Sequence, residues 1–252
     1  MAIPLVGRNV AVAVDGYDFT GNGNEIKLKR DAAKIDATVF GQHFSYDLAG
    51  IQKASLELKG FYSYGYSQID QIINQRFGQT NDVNVLVAPA GYPVLGPAIL
   101  MPSVITKYDL DAKLKGAIDL DAEFDARGAL DQGFILNSPI GTTTTTGNST
   151  DLFTAGVDTG GATTGGAAAH VHVFGVTGTT PSFTAKIQHS PDGTTWTDLL
   201  TFAAITTANS NQRLTAVNGI TVNSHVRASW TISGTTPAFN ALIGFSRSVV
   251  YT

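Results

Sequence analysis

Residues Lys107 to Arg127 read KYDLDAKLKGAIDLDAEFDAR, the most regular stretch of the chain. Its even positions, Tyr108 through Ala126, carry no charge, and its odd positions carry Asp, Lys, Glu or Arg except at Ala117. Side chains on a strand alternate faces, so the pattern specifies a sheet with one dry side and one charged side. A helical period of 3.6 would spread the charges around the whole circumference. Fully extended, the stretch would span roughly 70 Å, beyond a common strand, so a bend or break is expected near Gly116.

Asp119, Asp121, Glu123 and Asp125 then form one row of carboxylates at a spacing of about 7 Å. With no cation within the row, burial would set them in severe repulsion, and they must face water. A solvated outer sheet face satisfies that requirement, and so does the wall of a water-filled channel that must not bind a polyanion. Asp109, Asp111, Lys113 and Lys115 share the face and are candidates for further lumen or rim charges. If the stretch bends at Gly116, the two lysines fall near a rim.

The 252 residues fit one large or two ordinary domains with a sizeable core. There is no cysteine, which excludes disulfides, thiolate metal sites and cysteine nucleophiles. The start MAIPLVGRNV does not read as a signal peptide, and no apolar run reaches the length of a membrane span, so no membrane partner is expected. The net charge of −4 argues against nonspecific nucleic-acid binding, which draws its affinity from Lys and Arg on phosphates. Met1 to Asn137 holds 12 Lys+Arg against 16 Asp+Glu, and Ser138 to Thr252 holds 4 against 4. That contrast divides the chain into a domain over 1–137, a Gly/Thr-rich linker over 138–168 and a second domain over 169–252.

In the first domain NVAVAV (Asn9–Val14) ends at the turn signal Asp15-Gly16, and EIKLK (Glu25–Lys29) and KASLELKGFY (Lys53–Tyr62) alternate as strands. Ser67 to Phe77 (SQIDQIINQRF) is the one predicted helix, with Ser67 as cap, Ile69, Ile72, Ile73 and Phe77 as its apolar stripe and Gly78 as its stop. VNVLVAP (Val83–Pro89) is a strand stopped by proline. The order DATVFG at Asp36, AGI at Ala49, ASLELKGFY, IDQIINQRFG, VNVLVAP and then the 107–127 stretch with GALDQG resembles the tail tube proteins of long, non-contractile-tailed phages. The resemblance covers most of residues 8 to 137 and rests on order and spacing.

That resemblance implies a mainly β fold, a β-sandwich with one flanking α-helix. It also implies hexameric rings stacked into a hollow virion tube, assembled in the host cytoplasm, whose electronegative bore conducts DNA without binding it. Partners implied are copies of the chain itself, a tape-measure protein within the lumen and other tail proteins. Gln42, His43, Phe44, Tyr46, Asp47 and Leu48, in an irregular loop, and the arm Met1–Gly7 are the candidate inter-subunit segments. A surface loop without a partner is the competing reading.

Ser138 to Ala169 is low in complexity and reads as linker, with Leu152, Phe153 and Val157 as one docked strand. The remainder alternates in short runs with Gly, Pro and Asn turns, which predicts an Ig-like or jelly-roll-like β-sandwich. Val176–Phe183 (VTGTTPSF) recurs 56 residues later as Ile232–Phe239 (ISGTTPAF), predicting two related hairpins. Pro191-Asp192-Gly193 predicts a turn that returns Trp196 to the core. Such modules resemble sandwiches appended to virion proteins and some carbohydrate-binding sandwiches, which implies an outward-facing accessory domain and a host-surface glycan as partner.

His170 and His172, two apart on one strand face, have metal-ligand spacing, with His189 or His225 as a third ligand; a solvated or satisfied histidine pair is the commoner arrangement. No set of nucleophile, base and orienting group converges, so neither enzyme activity nor a cofactor is expected. The competing functions are a tube subunit, a glycan-binding or surface module for host adhesion, and a capsid or head-joining protein.

Overall fold

The computed structural model describes residues 9–21, 23–40, 43–62, 69–112, 114 and 116–247. The chain is mainly β. Its elements are β1 (Ala11–Val14), β2 (Tyr17–Asp18), β3 (Gly23–Asp36), β4 (Asp47–Phe61), α1 (Ile69–Arg76), β5 (Val83–Ala88), β6 (Pro97–Ala112), β7 (Ile118–Ala126) and β8 (Asp131–Asn137), then β9 (Gly147–Asn148), β10 (Ala167–Ser190), β11 (Thr197–Thr201), β12 (Ser210–Ala216) and β13 (His225–Arg247). They gather into two compact units. One takes the described residues of 22–83 and 102–129, the other those up to 21, 84–101 and from 130 onward.

In the smaller unit the 107–127 stretch is a hairpin. The end of β6 pairs antiparallel with β7, Tyr108 opposite Ala122, Leu110 opposite Leu120 and Ala112 opposite Ile118, and the chain reverses between them at the expected break. β7 pairs in turn with β4, and β4 with β3, giving the strand order β3-β4-β7-β6. The uncharged positions fall on one face, where Leu56, Leu58, Leu120, Ala122, Phe124 and Ile105 are buried. Burying each large side chain contributes about 1.5–3 kcal/mol. The dry face fades toward the hairpin tip, where Leu110, Leu114 and Ile118 are exposed.

Helix α1 buries Ile69, Ile72 and Ile73, three of the four predicted stripe residues. Phe77 is exposed instead, because the helix ends at Arg76 and Gly78, at φ 69°, turns the chain away. The predicted cap Ser67 lies outside the described residues. β3 and β4 are longer than the sequence pattern suggests: their ladder continues to Asp36 opposite Asp47, so Asp47–Gly50 is strand rather than loop.

The larger unit is built on the ladder between β10 and β13, which pair antiparallel from Ala167 opposite Arg247 to Ser190 opposite His225. Around Gly178–Pro181 and Gly234–Pro237 the register shifts, and Gly178, Thr180, Gly234 and Thr236 take positive φ. These bulges bend the two-stranded ribbon so that its halves face each other. Val171, Val173, Ala241, Ile243 and Phe245 of one half share a core with Phe183, Ala185, Ile187, Val226 and Ala228 of the other. The repeated VTGTTPSF and ISGTTPAF segments therefore do not form two hairpins. They pair with each other about a local pseudo-dyad: Val176 lies opposite Phe239 and Phe183 opposite Ile232, each pair the image of the other under the repeat.

The first half of β10 is buried on both faces. Its other side meets a second core of Ala11, Ala13, Leu86, Ala88, Tyr92, Ala98, Leu100, Ile135 and Leu242, with Phe174 packed on it. Apart from Tyr92, which lies between β5 and β6, and Phe174 of β10, these residues come from the run β13-β8-β6-β5-β1, which continues the sheet outward from β13.

Residues 138–166, read from sequence as linker, lie within this unit. Gly147–Asn148 pairs with Ser229 and Trp230 of β13, and bridges join Thr143 to Phe239 and Thr163 to Val222. Leu152 is fully buried, but in a turn rather than a strand, since the backbone N–H of Val157 returns to the Leu152 carbonyl. The compact units thus divide the chain elsewhere than at 137 and 168. Trp196 does not return to the core: it is half-exposed beneath the Arg227 guanidinium, 4.1 Å from its ring centroid.

A Cβ at Gly178 would stand 2.7 Å from the Thr236 carbonyl oxygen, and one at Gly234 would stand 2.8 Å from that of Thr180. Gly178→Ala and Gly234→Ala are each expected to destabilise the larger unit by about 1–3 kcal/mol and by similar amounts, because the bulges are equivalent. Gly161→Ala, with open space around its Cβ, serves as the near-neutral control. Both tryptophans lie in this unit, so the fluorescence-detected melting transition measures the effect.

Candidate functional site

Residues directly opposite one another in a ladder share a face, so the pairing of β3, β4, β7 and β6 fixes which charges stand together. Asp121 lies between Lys59 and Asp109, Glu123 between Glu57 and Lys107, Asp119 between Phe61 and Asp111, and Asp125 between Ser55 and Val104. Across β4, Lys59 faces Glu25, Glu57 faces Lys27, Ser55 faces Lys29 and Lys53 faces Asp31. Among the described residues this face therefore carries nine carboxylates, Glu25, Asp31, Glu57, Asp109, Asp111, Asp119, Asp121, Glu123 and Asp125. Five lysines, Lys27, Lys29, Lys53, Lys59 and Lys107, accompany them.

The excess of four negative charges is unevenly placed. β3 and β4 carry both signs, whereas β6 and β7 bring six carboxylates and only Lys107. That lysine lies 2.7 Å from Asp121 and 3.1 Å from Asp109, and hydrogen bonds to Asp121 and then Asp109 hold its ammonium charged above the ordinary lysine range. Lys59 approaches Glu25 at 3.4 Å, and Lys29 pairs with Glu57. Such solvent-exposed pairs contribute little stability and are screened by salt; their effect is to moderate repulsion along the row.

Asp119, Asp121, Glu123 and Asp125 are all half-exposed on β7, alternating with buried Leu120, Ala122 and Phe124. Asp109 and Asp111 are more exposed near the end of β6. Lys113 and Lys115 lie outside the described residues. A depression of about 390 Å³ opens on the face, lined by Asn24, Glu25, Lys59, Gly60, Asp109, Asp111, Asp119, Leu120 and Asp121. Five of its nine lining residues are acidic, which makes it repellent to an anion. The sequence pattern reveals the acids of β7 but not the cations that neighbouring strands add, because strand order is a property of the fold.

Beyond this face β3 and β4 continue as an arm whose two sides are both exposed. Of the candidate inter-subunit residues, Phe44 is 87% exposed, and Tyr46 and Leu48 are exposed, as are His43 and Asp47; Gln42 lies outside the described residues. Ile35, Val39, Phe40 and Ile51 add to the same exposed apolar surface. Lys34 and Asp47, 2.8 Å apart, tie the arm across its strands. The first seven residues, also candidates, are outside the described part.

His170 and His172 stand side by side on β10, ring centroids 5.8 Å apart, and both are fully buried. The proposed third ligands are elsewhere: His189 Nδ1 accepts the Asn223 backbone N–H, and His225 is 2.6 Å from Asp151. Among the described residues no cluster of three or more His, Cys, Asp or Glu is arranged to hold a metal ion. The Asp151–His225 pair has the geometry of a base and its orienting carboxylate. Asp151, however, also accepts the N–H groups of Phe153, Thr154 and Val226 and the Thr154 hydroxyl, which is the bonding of a structural cap.

No family model matches the chain, and no curated protein does. Among solved structures, the tail of an empty gene transfer agent particle with C6 symmetry is similar at 20% identity, covering 50% of this chain and 97% of that one, with a TM-score of 0.43. The SPP1 tail tube is similar at 11% identity, covering 52% of this chain and 80% of that one, TM-score 0.43. The SPP1 Dit protein is similar at 10% identity over 94% of this chain and 98% of that one, TM-score 0.36.

Proposed function

We propose that this protein is a structural subunit of a phage tail tube, closing with copies of itself into stacked hexameric rings. In this reading the β6–β7 half of the charged sheet lines a water-filled lumen that conducts genome DNA. The observation that carries it is the sheet face itself, with six carboxylates and one lysine on two adjacent strands. Each phosphate paired with Lys or Arg adds affinity and therefore drag, and a wall of half-hydrated carboxylates offers a duplex no such pairs. Among the described residues β3 is hydrogen-bonded only to β4, so its outer edge is available for pairing with another copy. The exposed apolar arm of β3 and β4 supplies surface that an assembly would bury.

On this reading the subunit resides in the virion after assembly in the host cytoplasm. Its lumen holds the tape-measure protein and then DNA without specific contacts, and its ends meet other tail proteins. The strands contributed by 167–247 serve as an outward-facing accessory sandwich. A second reading, recognition of a host glycan, is favoured by one surface of that sandwich. Half-exposed Trp196 has one ring face beneath Arg227, whose Nε donates to Gln188, whose amide in turn donates to Asp198. An aromatic plate beside such a row suits a sugar ring and its hydroxyls.

Negative-stain microscopy of the purified chain at high concentration is expected to show rings or tubes of uniform bore; a strictly monomeric population would contradict the assembly. Replacing Asp119, Asp121 and Asp125 by Asn together with Glu123→Gln is expected to leave tube formation intact and to slow or truncate DNA delivery. Delivery at the original rate by particles built from that variant would remove the lumen assignment while leaving the tube standing. Glycan-array binding that is lost in Trp196→Ala would establish the second reading independently.

A further inference from the structure

The sheet of the larger unit curls until the turn between β1 and β2 meets β10 and β12, and it closes there through side chains instead of a backbone ladder. Asp15 and Gly16 form that turn at positive φ, 50° and 89°. A Cβ on Gly16 would lie 2.7 Å from the Asn209 carbonyl carbon and from the Ser210 nitrogen, so the turn is seated directly on the β12 backbone. The Gly16 N–H donates to His172 Nδ1 at 3.2 Å. Asn211 donates from Nδ2 to the Asp15 carboxylate at 2.5 Å and accepts from Asn84 Nδ2 of β5 at 2.6 Å. The β1–β2 turn, β5, β10 and β12 are thus joined by one set of buried and half-buried polar side chains.

Six buried side-chain polar atoms lack a hydrogen-bond partner among the described residues, and five of them are here: Asn84 Oδ1, both ring nitrogens of His170, His172 Nε2 and Arg213 Nε. His172 faces Asn211 on β12 and Leu242 on β13, with the Phe174 ring stacked 6.5 Å away. His170 faces Arg213 on β12 and Gly244 on β13. Among the described residues, Arg213 lies opposite His170, Asp131 of β8 accepts from the Arg213 guanidinium at 3.4 Å, and Asp15 of the turn next to Gly16 accepts from Asn211.

We propose that this cluster is an acid-released latch: protonation of His172, with His170 and Arg213 behind it, expels the Asp15–Gly16 turn from β10 and β12 and opens the curled sheet. The chemistry is specific to the atom. Unprotonated Nδ1 holds the turn by accepting the Gly16 N–H hydrogen bond, and once protonated it presents a donor to that donor. The added charge also arrives in a buried site with a guanidinium opposite His170. Burial draws the His172 imidazole down to about 3. Burial, then His172 and Arg213, push His170 well below its ordinary value. A hydrated imidazole titrates near 6.5, so the latch is at full strength above that pH and weakens as pH falls below it. The opening equilibrium grows about tenfold per pH unit for each histidine exposed.

The test is hydrogen exchange at the Gly16 amide, corrected for intrinsic rate, between about pH 7 and about pH 5. In the unaltered protein its protection is expected to fall by about tenfold or more while the Ile187 amide, in the far half of β10, stays protected. His172→Asn places a non-titrating acceptor near Nδ1. That variant is expected to keep the turn docked at neutral pH and to lose most of the acid response. Unchanged Gly16 protection across the range would overturn the proposal, and so would an equal acid response in His172→Asn. If that variant does not fold, the unaltered protein still decides: simultaneous loss of Gly16 and Ile187 protection means global unfolding and refutes the latch.

Discussion

The larger unit depends on one constraint, that β10 must be dry on both of its faces through its first half. A strand buried on one face can alternate apolar and polar residues, whereas a strand between two cores cannot spare a side for water. Ala167 to Val173 are buried without interruption, with small and branched side chains toward the shared sandwich core and histidines toward the other. Once β10 is placed, its partner follows. β13 pairs along its length, and the ladder is interrupted beside Phe174 and again at the GTTP bulges, where the two strands bend. Strands of 24 and 23 residues would otherwise run about 80 Å. The equivalent bulges convert that length into two layers and let Phe183 and Phe239 meet across the pseudo-dyad, ring centroids 5.3 Å apart.

The smaller unit follows the opposite rule. Its sheet is dry on one face only, and the charged face is possible because water reaches it. The lysines lie mostly on β3 and β4, whereas β6 and β7 share one between them. Lys107 serves Asp109 and Asp121, and Lys59 serves Glu25. This leaves β3 and β4 nearly balanced and concentrates the negative excess on β6 and β7. A face graded in this way repels an anion from one half while remaining hydrated throughout, a property of the strand order β3-β4-β7-β6 that no single strand possesses.

What was legible in the sequence was the part governed by local period. The alternation of 107–127 gives the two faces and the break, the spacing of Ile69, Ile72 and Ile73 gives the helix face, and Asp15-Gly16 gives the turn between β1 and β2. What was not legible depends on which strands become neighbours. The GTTP repeat reads as two hairpins because a glycine at a positive φ suits a turn as well as a bulge, and only the mutual pairing distinguishes them. Trp196 reads as core by its hydrophobicity, yet the cation above it offers a second stable place at the surface. Residues 143–163 look like linker because few of them are large and apolar, but backbone pairing along β13 and at Val222 needs no large side chain. The histidines alternate with valines as a half-solvated strand would, and nothing near them in sequence announces the second core that covers them.

That second core ends in a polar seam for a physical reason. A continuous ladder from β2 to β12 would require their backbones to align, whereas Gly16 brings the turn against Asn209 and Ser210 from the side. Side chains must bridge the mismatch, and only groups with both reach and hydrogen-bonding capacity can do so, which selects Asp15, Asn84, Asn211 and His172. An apolar seam of the same shape would leave the Gly16 N–H without an acceptor, a loss of about 1–3 kcal/mol at a buried site. The polar seam satisfies that donor with the His172 ring nitrogen, an acceptor that protonation removes. A curled sheet yields first where its hydrogen bonds are fewest and its buried orphans most numerous. In this unit such a place is the contact of the β1–β2 turn with β10 and β12, where side chains and not a backbone ladder join the elements.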